Sequence, residues 1–216
     1  MNISKVINQI SVIPVFITVI YSIYIYKSLG KELKSFSWFL IISGIIQFIS
    51  SALWYARTNN LPLLHIYVAV GFFLIAYFYI QVLDEFINKK IIWIILLLFL
   101  TFSVLNSIFI QPILTFASYS LTVESILIII LSLSTYIMLL DDIVRDKLKG
   151  LSKSLNWINS GLFIYYSSNL LIFYFGDTIT HTFSKEISRY TWVLHSFFSV
   201  IMYCCFFVGL WYRPKN

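Results

Sequence analysis

Seven long apolar runs dominate the sequence, and each is close to the roughly 20 residues that an α-helix needs to cross a bilayer. They cover Val6–Tyr26, Phe36–Ala56, Leu61–Leu83, Ile91–Ile110, Ser118–Leu140, Leu155–Gly176 and Tyr190–Tyr212. Because 60% of the residues are hydrophobic and 11% are charged, the chain cannot form the polar shell of a soluble domain. We therefore predict one all-α integral membrane domain over residues 1–216, a seven-transmembrane helix bundle.

Prolines mark several of the predicted helix ends. Pro62 follows two asparagines and suits the first turn of the third helix, where proline has no amide hydrogen to lose. Pro112 follows Gln111 and predicts the end of the fourth helix. Pro14 lies inside the first run, and we predict that it kinks that helix.

The distribution of lysine and arginine predicts the orientation in the membrane. Eleven basic residues fall on one set of connections: Lys27, Lys31, Lys34, Lys89, Lys90, Arg145, Lys147, Lys149, Lys153, Arg213 and Lys215. Four fall on the other: Lys5, Arg57, Lys185 and Arg189. The richer side is expected in the cytoplasm, so the N-terminus lies outside and the C-terminus inside. The net charge of +6 is thus interpreted as membrane topology, and no nucleic-acid partner is expected.

Strongly polar residues recur toward the outer ends of six helices. They are Gln47, His65, Asn106, Glu124, Asn169 and His195. Lipid offers no hydrogen bonds, so such groups turn toward protein or trapped water. At 100° per residue, Gln47 shares a stripe with Ser43, Ser50, Ser51 and Trp54, and His195 shares one with Ser199 and Met202. Together with Tyr166, the six residues predict an outward-facing, ligand-binding pocket.

Glu124 is the most unusual of these residues, because a carboxyl group inside a membrane costs about 2 kcal/mol or more unless it is paired or protonated. One interpretation is purely structural: Glu124 and His195 bind each other and lock helix five to helix seven. Another is catalytic: the two residues act as an acid/base pair on a lipid-like substrate. A third adds zinc, with His65, Glu124 and His195 as ligands.

Other chemistries have weaker support. Helix seven contains no lysine to form a retinal Schiff base, and no nucleotide-binding motif is present, so no cofactor is expected. Small-solute transport stays an alternative, although three of the four prolines lie at helix ends and the two halves show no repeat. The expected partner is membrane lipid, which would contact the outer faces of the helices.

Helices six and seven, LNWINSGLFIYYSSNLLIF and WVLHSFFSVIMYCCFFVGLW, resemble small seven-helix membrane proteins of Bacteroidota and compact bacterial seven-helix sensor modules. The matching residues are Trp157, Asn159, Gly161, Tyr165, Asn169 and His195, with Glu124 as the helix-five acid. The resemblance implies a receptor-like protein of the bacterial inner membrane. Because no signalling domain is fused, a cytoplasmic partner would be needed, and the stretch DDIVRDKLKGLSK is a candidate docking loop or simply a solvated one.

Overall fold

The structure is a computed structural model, and it describes residues 10–141, 148 and 150–214. Within this part of the chain all regular structure is helical, and no strand is present. The helices are α1 (Ile13–Ile25), α2 (Lys31–Tyr55), α3 (Leu61–Val82), α4 (Lys89–Leu105), α5 (Ser118–Leu140), α6 (Leu151–Tyr174), α7 (Gly176–His181) and α8 (Lys185–Trp211). A 3-10 turn, Tyr26–Ser28, extends α1, and a π-helical turn, Asn106–Ile110, extends α4.

Five of the described helices are long and apolar enough to cross a membrane: α2, α3, α4 with its π-helical turn, α5 and α8. They suggest a multi-pass membrane protein by their length and composition. The predicted first and sixth spans differ from these five. The described part of α1 is shorter, and α6 carries buried polar residues along its length, among them Ser154, Asn159 and Asn169. Because α6 packs mainly between α5 and α8, its polar groups meet protein.

Local chemistry explains where helix boundaries agree with the sequence and where they do not. α3 begins at Leu61 with Pro62 in its first turn, as predicted. The prediction of a kink at Pro14 is not tested, because residues 1–9 lie outside the described part of the chain. Within that part Ile10 is helical, a turn follows at residues 11–12, and α1 begins at Ile13 with the proline in its first turn. α8 begins at Lys185, five residues before the predicted Tyr190, because the Ser184 hydroxyl accepts a hydrogen bond from the Ile187 amide at 3.3 Å.

The connections between helices lie at two ends of the bundle, and these ends differ in their content of lysine. The α2–α3, α4–α5 and α6–α8 connections lie at one end, since successive long helices run in opposite directions. The α1–α2 and α3–α4 connections lie at the other end, which carries most of the described lysines. Most of the predicted docking loop, residues 142–147 and 149, lies outside the described residues, as do residues 1–9 and 215–216.

An aromatic core fills the bundle toward this second end. Phe36 packs against Phe78 and Phe206, with ring centroids 5.2 Å and 4.9 Å apart. Phe39 and Phe206 also meet, at 6.3 Å, and all four rings are at most 1% exposed. These contacts join α2, α3 and α8.

One fully buried polar network ties α3, α5 and α6 together. The Tyr79 hydroxyl donates to Asn159 Oδ1 at 2.9 Å and lies 2.8 Å from Ser132 Oγ. The Asn159 amide nitrogen donates to the Ser132 carbonyl at 3.0 Å. Because each polar group in the network has a partner, burial of the network carries no unpaired group.

A candidate ligand-binding cavity

A cavity of about 860 Å³ penetrates the bundle from the end where α2 joins α3. Exposed residues at its mouth come from three connections or helix ends: Trp54, Asn59, Leu114 and His181. Phe39, Met202 and Tyr203 close its deep end, where Tyr203 packs on the aromatic core through Phe206 at 5.4 Å. The volume lies within the range of small-molecule sites, which runs from about 300 to 1,000 Å³.

Glu124 projects from α5 into this cavity and is 3% exposed. The Tyr166 hydroxyl, one helix away on α6, donates a hydrogen bond to Glu124 Oε1 at 3.3 Å. No described residue bonds to the second carboxyl oxygen, Oε2. Oε2 is nevertheless not fully buried. It therefore faces the cavity. The carboxyl group thus keeps one free acceptor for a ligand.

His195 projects from α8 into the same cavity, and its orientation follows from Asn169. The Asn169 amide nitrogen donates to the Tyr165 carbonyl at 2.8 Å, and a carbonyl can only accept. This bond turns Asn169 Oδ1 toward His195 Nδ1, 3.0 Å away. Nδ1 must therefore carry the hydrogen, and in the neutral ring Nε2 is left as an acceptor without a partner among the described residues.

Aromatic rings hold the His195 imidazole on three sides. The Tyr165, Phe173 and Trp192 rings lie 5.6 Å, 5.6 Å and 5.8 Å from it, centroid to centroid. All three also line the cavity. The ring is therefore fixed by both hydrogen bonding and packing, as expected for a preorganised binding group.

Both polar stripes predicted from helical phase face the cavity. Ser43, Gln47, Ser50 and Trp54 of α2 and His195, Ser199 and Met202 of α8 all line it. Ser51 does not, and its hydroxyl donates instead to the Gln47 carbonyl at 2.8 Å. Across the cavity, Ser43 Oγ lies 3.1 Å from the Tyr67 hydroxyl of α3.

Four of the seven predicted ligand-binding residues line the cavity, and three do not. The four are Gln47, Glu124, Tyr166 and His195. Asn169 stands behind His195 and orients it. His65 is bound between Ser107 Oγ at 2.8 Å and the Thr115 carbonyl at 3.0 Å, and so it secures α3 to the end of α4 and the following connection.

Asn106 is the third predicted residue outside the lining. Its amide nitrogen donates to Gln111 Oε1 at 3.1 Å and to Ser120 Oγ at 3.0 Å, while its Oδ1 is buried without a partner among the described residues. These bonds connect the π-helical turn to α5. The prediction that Asn106 contacts ligand is therefore not supported by its position.

The arrangements that require Glu124 and His195 to meet directly are not formed. Neither residue bonds to the other, and each is bonded instead to α6, through Tyr166 and Asn169. Over the described residues, no group of three or more His, Cys, Asp or Glu side chains could hold a metal ion. The interhelical lock is therefore not formed, and these residues do not form the zinc site with His65. An acid and a base that act on a substrate from two sides need no direct contact, so the hydrolase hypothesis stays a prediction.

Several aromatic lining residues were missed in the sequence, including Tyr67, Tyr165 and Tyr203 as ligand contacts. Aromatic residues are so frequent in this chain, at 19%, that their type alone carries little information. Helical spacing could have found Trp192, which precedes His195 by three residues on the stripe that continues to Ser199 and Met202.

Comparisons with models of protein families, with curated proteins and with solved structures found no match for this chain. The resemblance to seven-helix proteins of Bacteroidota therefore stays a prediction, and the functional proposal rests on the geometry of the cavity.

Proposed function

We propose that this protein is a receptor-like membrane protein of the bacterial inner membrane. It crosses the membrane seven times, with its N-terminus outside, and binds a small amphiphilic ligand in the cavity. Occupancy of the cavity then shifts α6 and α8 and is sensed by a cytoplasmic partner. The transporter alternative has no observation in its favour. The hydrolase stays an alternative, because Glu124 and His195 line one cavity without bonding to each other.

The observation that carries the proposal is the cavity itself, with a preorganised polar group on each side. Glu124 and His195 present acceptors that have no partner among the described residues to one space of about 860 Å³. Both are held by hydrogen bonds from behind, through Tyr166 and Asn169. A cavity of this size with a few convergent polar groups is typical of a small-molecule site.

The position of α6 supports the transmission of a signal. Near the mouth, α6 holds both Glu124 and His195, through Tyr166 and Asn169. Near its other end, the Ser154 hydroxyl donates to the Gly209 carbonyl of α8 at 2.7 Å. A ligand that prefers one arrangement of these helices shifts the population toward it at both ends.

The distribution of basic residues supports the orientation. Eleven lysines and arginines fall on one side against four on the other, and the richer side is expected in the cytoplasm. The mouth of the cavity, with Trp54 and His181, lies at the poorer side. The ligand would therefore enter from outside the cytoplasm.

A thiol-labelling experiment tests the outward-facing cavity. In a Cys204→Ser, Cys205→Ala background, Ser199→Cys places one thiol on the cavity wall. We expect a charged, membrane-impermeant methanethiosulfonate added from outside to modify it, because the cavity is open to water at its mouth. Ser167→Cys is the matched control, since Ser167 lies on the exposed surface of α6 and does not line the cavity.

Two outcomes would contradict the outward-facing cavity. One is a Ser199→Cys thiol that resists the reagent until the membrane is opened with detergent. The other is equal labelling of the Ser167→Cys control from outside, because charged reagents do not enter the hydrocarbon region.

Hydrogen exchange tests the receptor part of the proposal separately. Modification of the Ser199→Cys thiol places a covalent occupant in the cavity. We expect amide exchange to change in the first turns of α6 and in the last turn of α8, at the far end of the molecule. A change restricted to the cavity wall would mean that the protein binds a ligand without transmitting a conformational change to the far end of the bundle.

A further inference from the structure

We infer that the ligand of this cavity is an organic cation, with an ammonium group that pairs with Glu124 and an apolar or aromatic body. The inference rests on the proposed function and adds the chemical class of the ligand to it. It is drawn from three features of the lining: its charge, the free acceptors and the aromatic rings.

The charge of the lining is one-sided. Over the described residues, the wall contains one carboxyl group, that of Glu124, and neither lysine nor arginine. The ion pairs within that part of the chain do not involve Glu124. A buried carboxylate is costly unless it is protonated or an opposite charge accompanies it. A ligand that brings a positive charge supplies the partner that the protein leaves out.

The free acceptors match the donors of an ammonium group. Tyr166 already satisfies Glu124 Oε1, which leaves Oε2 for a charge-assisted hydrogen bond. His195 Nε2 is a second acceptor in the neutral ring, because Asn169 holds the hydrogen on Nδ1. An anionic ligand would instead place its charge beside the carboxyl group, with no lysine or arginine among the described lining residues to offset it.

The aromatic lining suits the rest of such a ligand. Six tyrosine and tryptophan rings face the cavity: Trp54, Tyr67, Tyr165, Tyr166, Trp192 and Tyr203. The faces of these rings carry partial negative charge and attract cations, and their surfaces also bury apolar groups. A purely apolar lipid chain would offer no donor to Glu124 Oε2, so a cation with an apolar body fits the lining better.

Reaction rates of the Ser199→Cys thiol test the charge preference directly. Two methanethiosulfonates of similar size are compared: one carries a trimethylammonium group and the other a sulfonate. The ratio of their rates is divided by the ratio at Thr182→Cys, an exposed position between α7 and α8, which removes their intrinsic difference in reactivity. We expect the cation to be favoured in the cavity by roughly tenfold or more, because a charged cleft concentrates counter-ions.

The carboxyl group is then removed in two matched variants. Glu124→Gln should bring the normalised ratio back close to one. Glu186→Gln removes the same charge from the exposed first turn of α8, away from the lining, and should leave the ratio unchanged. A normalised ratio near one at Ser199→Cys with Glu124 present would overturn the cation inference but not the outward-facing cavity. A thiol that reacts with neither reagent would overturn both.

A protection experiment needs no change at Glu124 and so does not depend on the folding of that variant. Benzylammonium, benzyl alcohol and benzoate share one ring and differ in charge. We expect benzylammonium to slow the labelling of Ser199→Cys at concentrations roughly tenfold or more below those of the other two, because a buried charge pair adds at least that factor. Equal protection by benzyl alcohol would indicate a neutral amphiphile. Stronger protection by benzoate, or none by any of the three, would equally overturn the inference.

Discussion

His195 and His65 differ in what surrounds their ring nitrogens. Asn169 Oδ1 accepts from His195 Nδ1, whereas the Thr115 carbonyl faces His65 Nε2 at 3.0 Å and can only accept. We therefore expect opposite neutral tautomers in one protein, with the hydrogen on Nδ1 in His195 and on Nε2 in His65. Nitrogen-15 NMR of histidine-labelled protein distinguishes protonated from unprotonated ring nitrogens and checks this prediction.

Two variants make the tautomer experiment decisive. His65→Gln and His195→Gln remove one set of signals each and so assign the resonances, since the chain contains three histidines. Asn169→Leu removes the acceptor that holds the His195 tautomer, and the His195 signals should then shift while those of His65 stay. A His195 ring with its hydrogen on Nε2 in the original chain would remove the cavity acceptor proposed above.

Tyr79 provides a prediction about stability at the residue scale. Its hydroxyl is fully buried and serves both Ser132 and Asn159, so Tyr79→Phe leaves Asn159 Oδ1 without its donor. We expect the free energy of unfolding to fall by about 1 kcal/mol, within the range measured for buried and interhelical hydrogen bonds. Reversible unfolding in mixed micelles measures it, and Tyr24→Phe, at a tyrosine that is 85% exposed, should be neutral.

At the scale of elements, hydrophobicity and proline position predict most of the helices. The differences lie at polar helix starts and in α6. The apolar runs located α3, α4 and α5 to within a few residues. The helices that start at Lys31 and Lys185 begin about five residues before their apolar runs, because hydrophobicity does not detect a charged or polar first turn. α6 departs most from an apolar run, since its neighbours α5 and α8 supply partners for its polar side chains.

Gly209 allows α8 to approach α6 closely, and this yields a prediction about its replacement by alanine. A Cβ on Gly209 would lie 3.0 Å from the Ser154 carbonyl oxygen and 3.2 Å from the Ile158 nitrogen. Backbone atoms cannot move aside cheaply, so Gly209→Ala should destabilise by about 1–3 kcal/mol, the usual cost of overpacking. Thermal unfolding in detergent measures the effect.

Gly71→Ala is the matched control within α3. Its Cβ would lie 3.5 Å from the Tyr67 ring, an ordinary contact, and alanine stabilises a helix interior relative to glycine by about 0.5–1 kcal/mol. This variant should therefore be neutral or more stable. Equal destabilisation by both substitutions would show that the α6–α8 approach has no special role.

At the scale of the whole molecule, the bundle divides into a polar cavity at one end and an aromatic core toward the other. Helical phase predicted which faces of α2 and α8 turn inward, because Gln47 and His195 could not face lipid. It could not predict which inward residues reach the cavity. His65 and Asn106 are inward as well, but they bond to Ser107 and Ser120 and do not line the cavity. That outcome depends on distances that no single helix encodes.

The orientation of the whole molecule gives the last prediction. Phe86 lies in the α3–α4 connection on the side rich in lysine and arginine, and Thr182 lies between α7 and α8 on the opposite side; both are exposed. In the background without native cysteines, Thr182→Cys should react with an impermeant thiol reagent in intact cells. Phe86→Cys should react only after the membrane is opened. It lies on the side with eleven of the fifteen basic residues, and that side is expected in the cytoplasm. The reverse pattern would place the cavity mouth in the cytoplasm and direct the search for an organic cation to metabolites inside the cell.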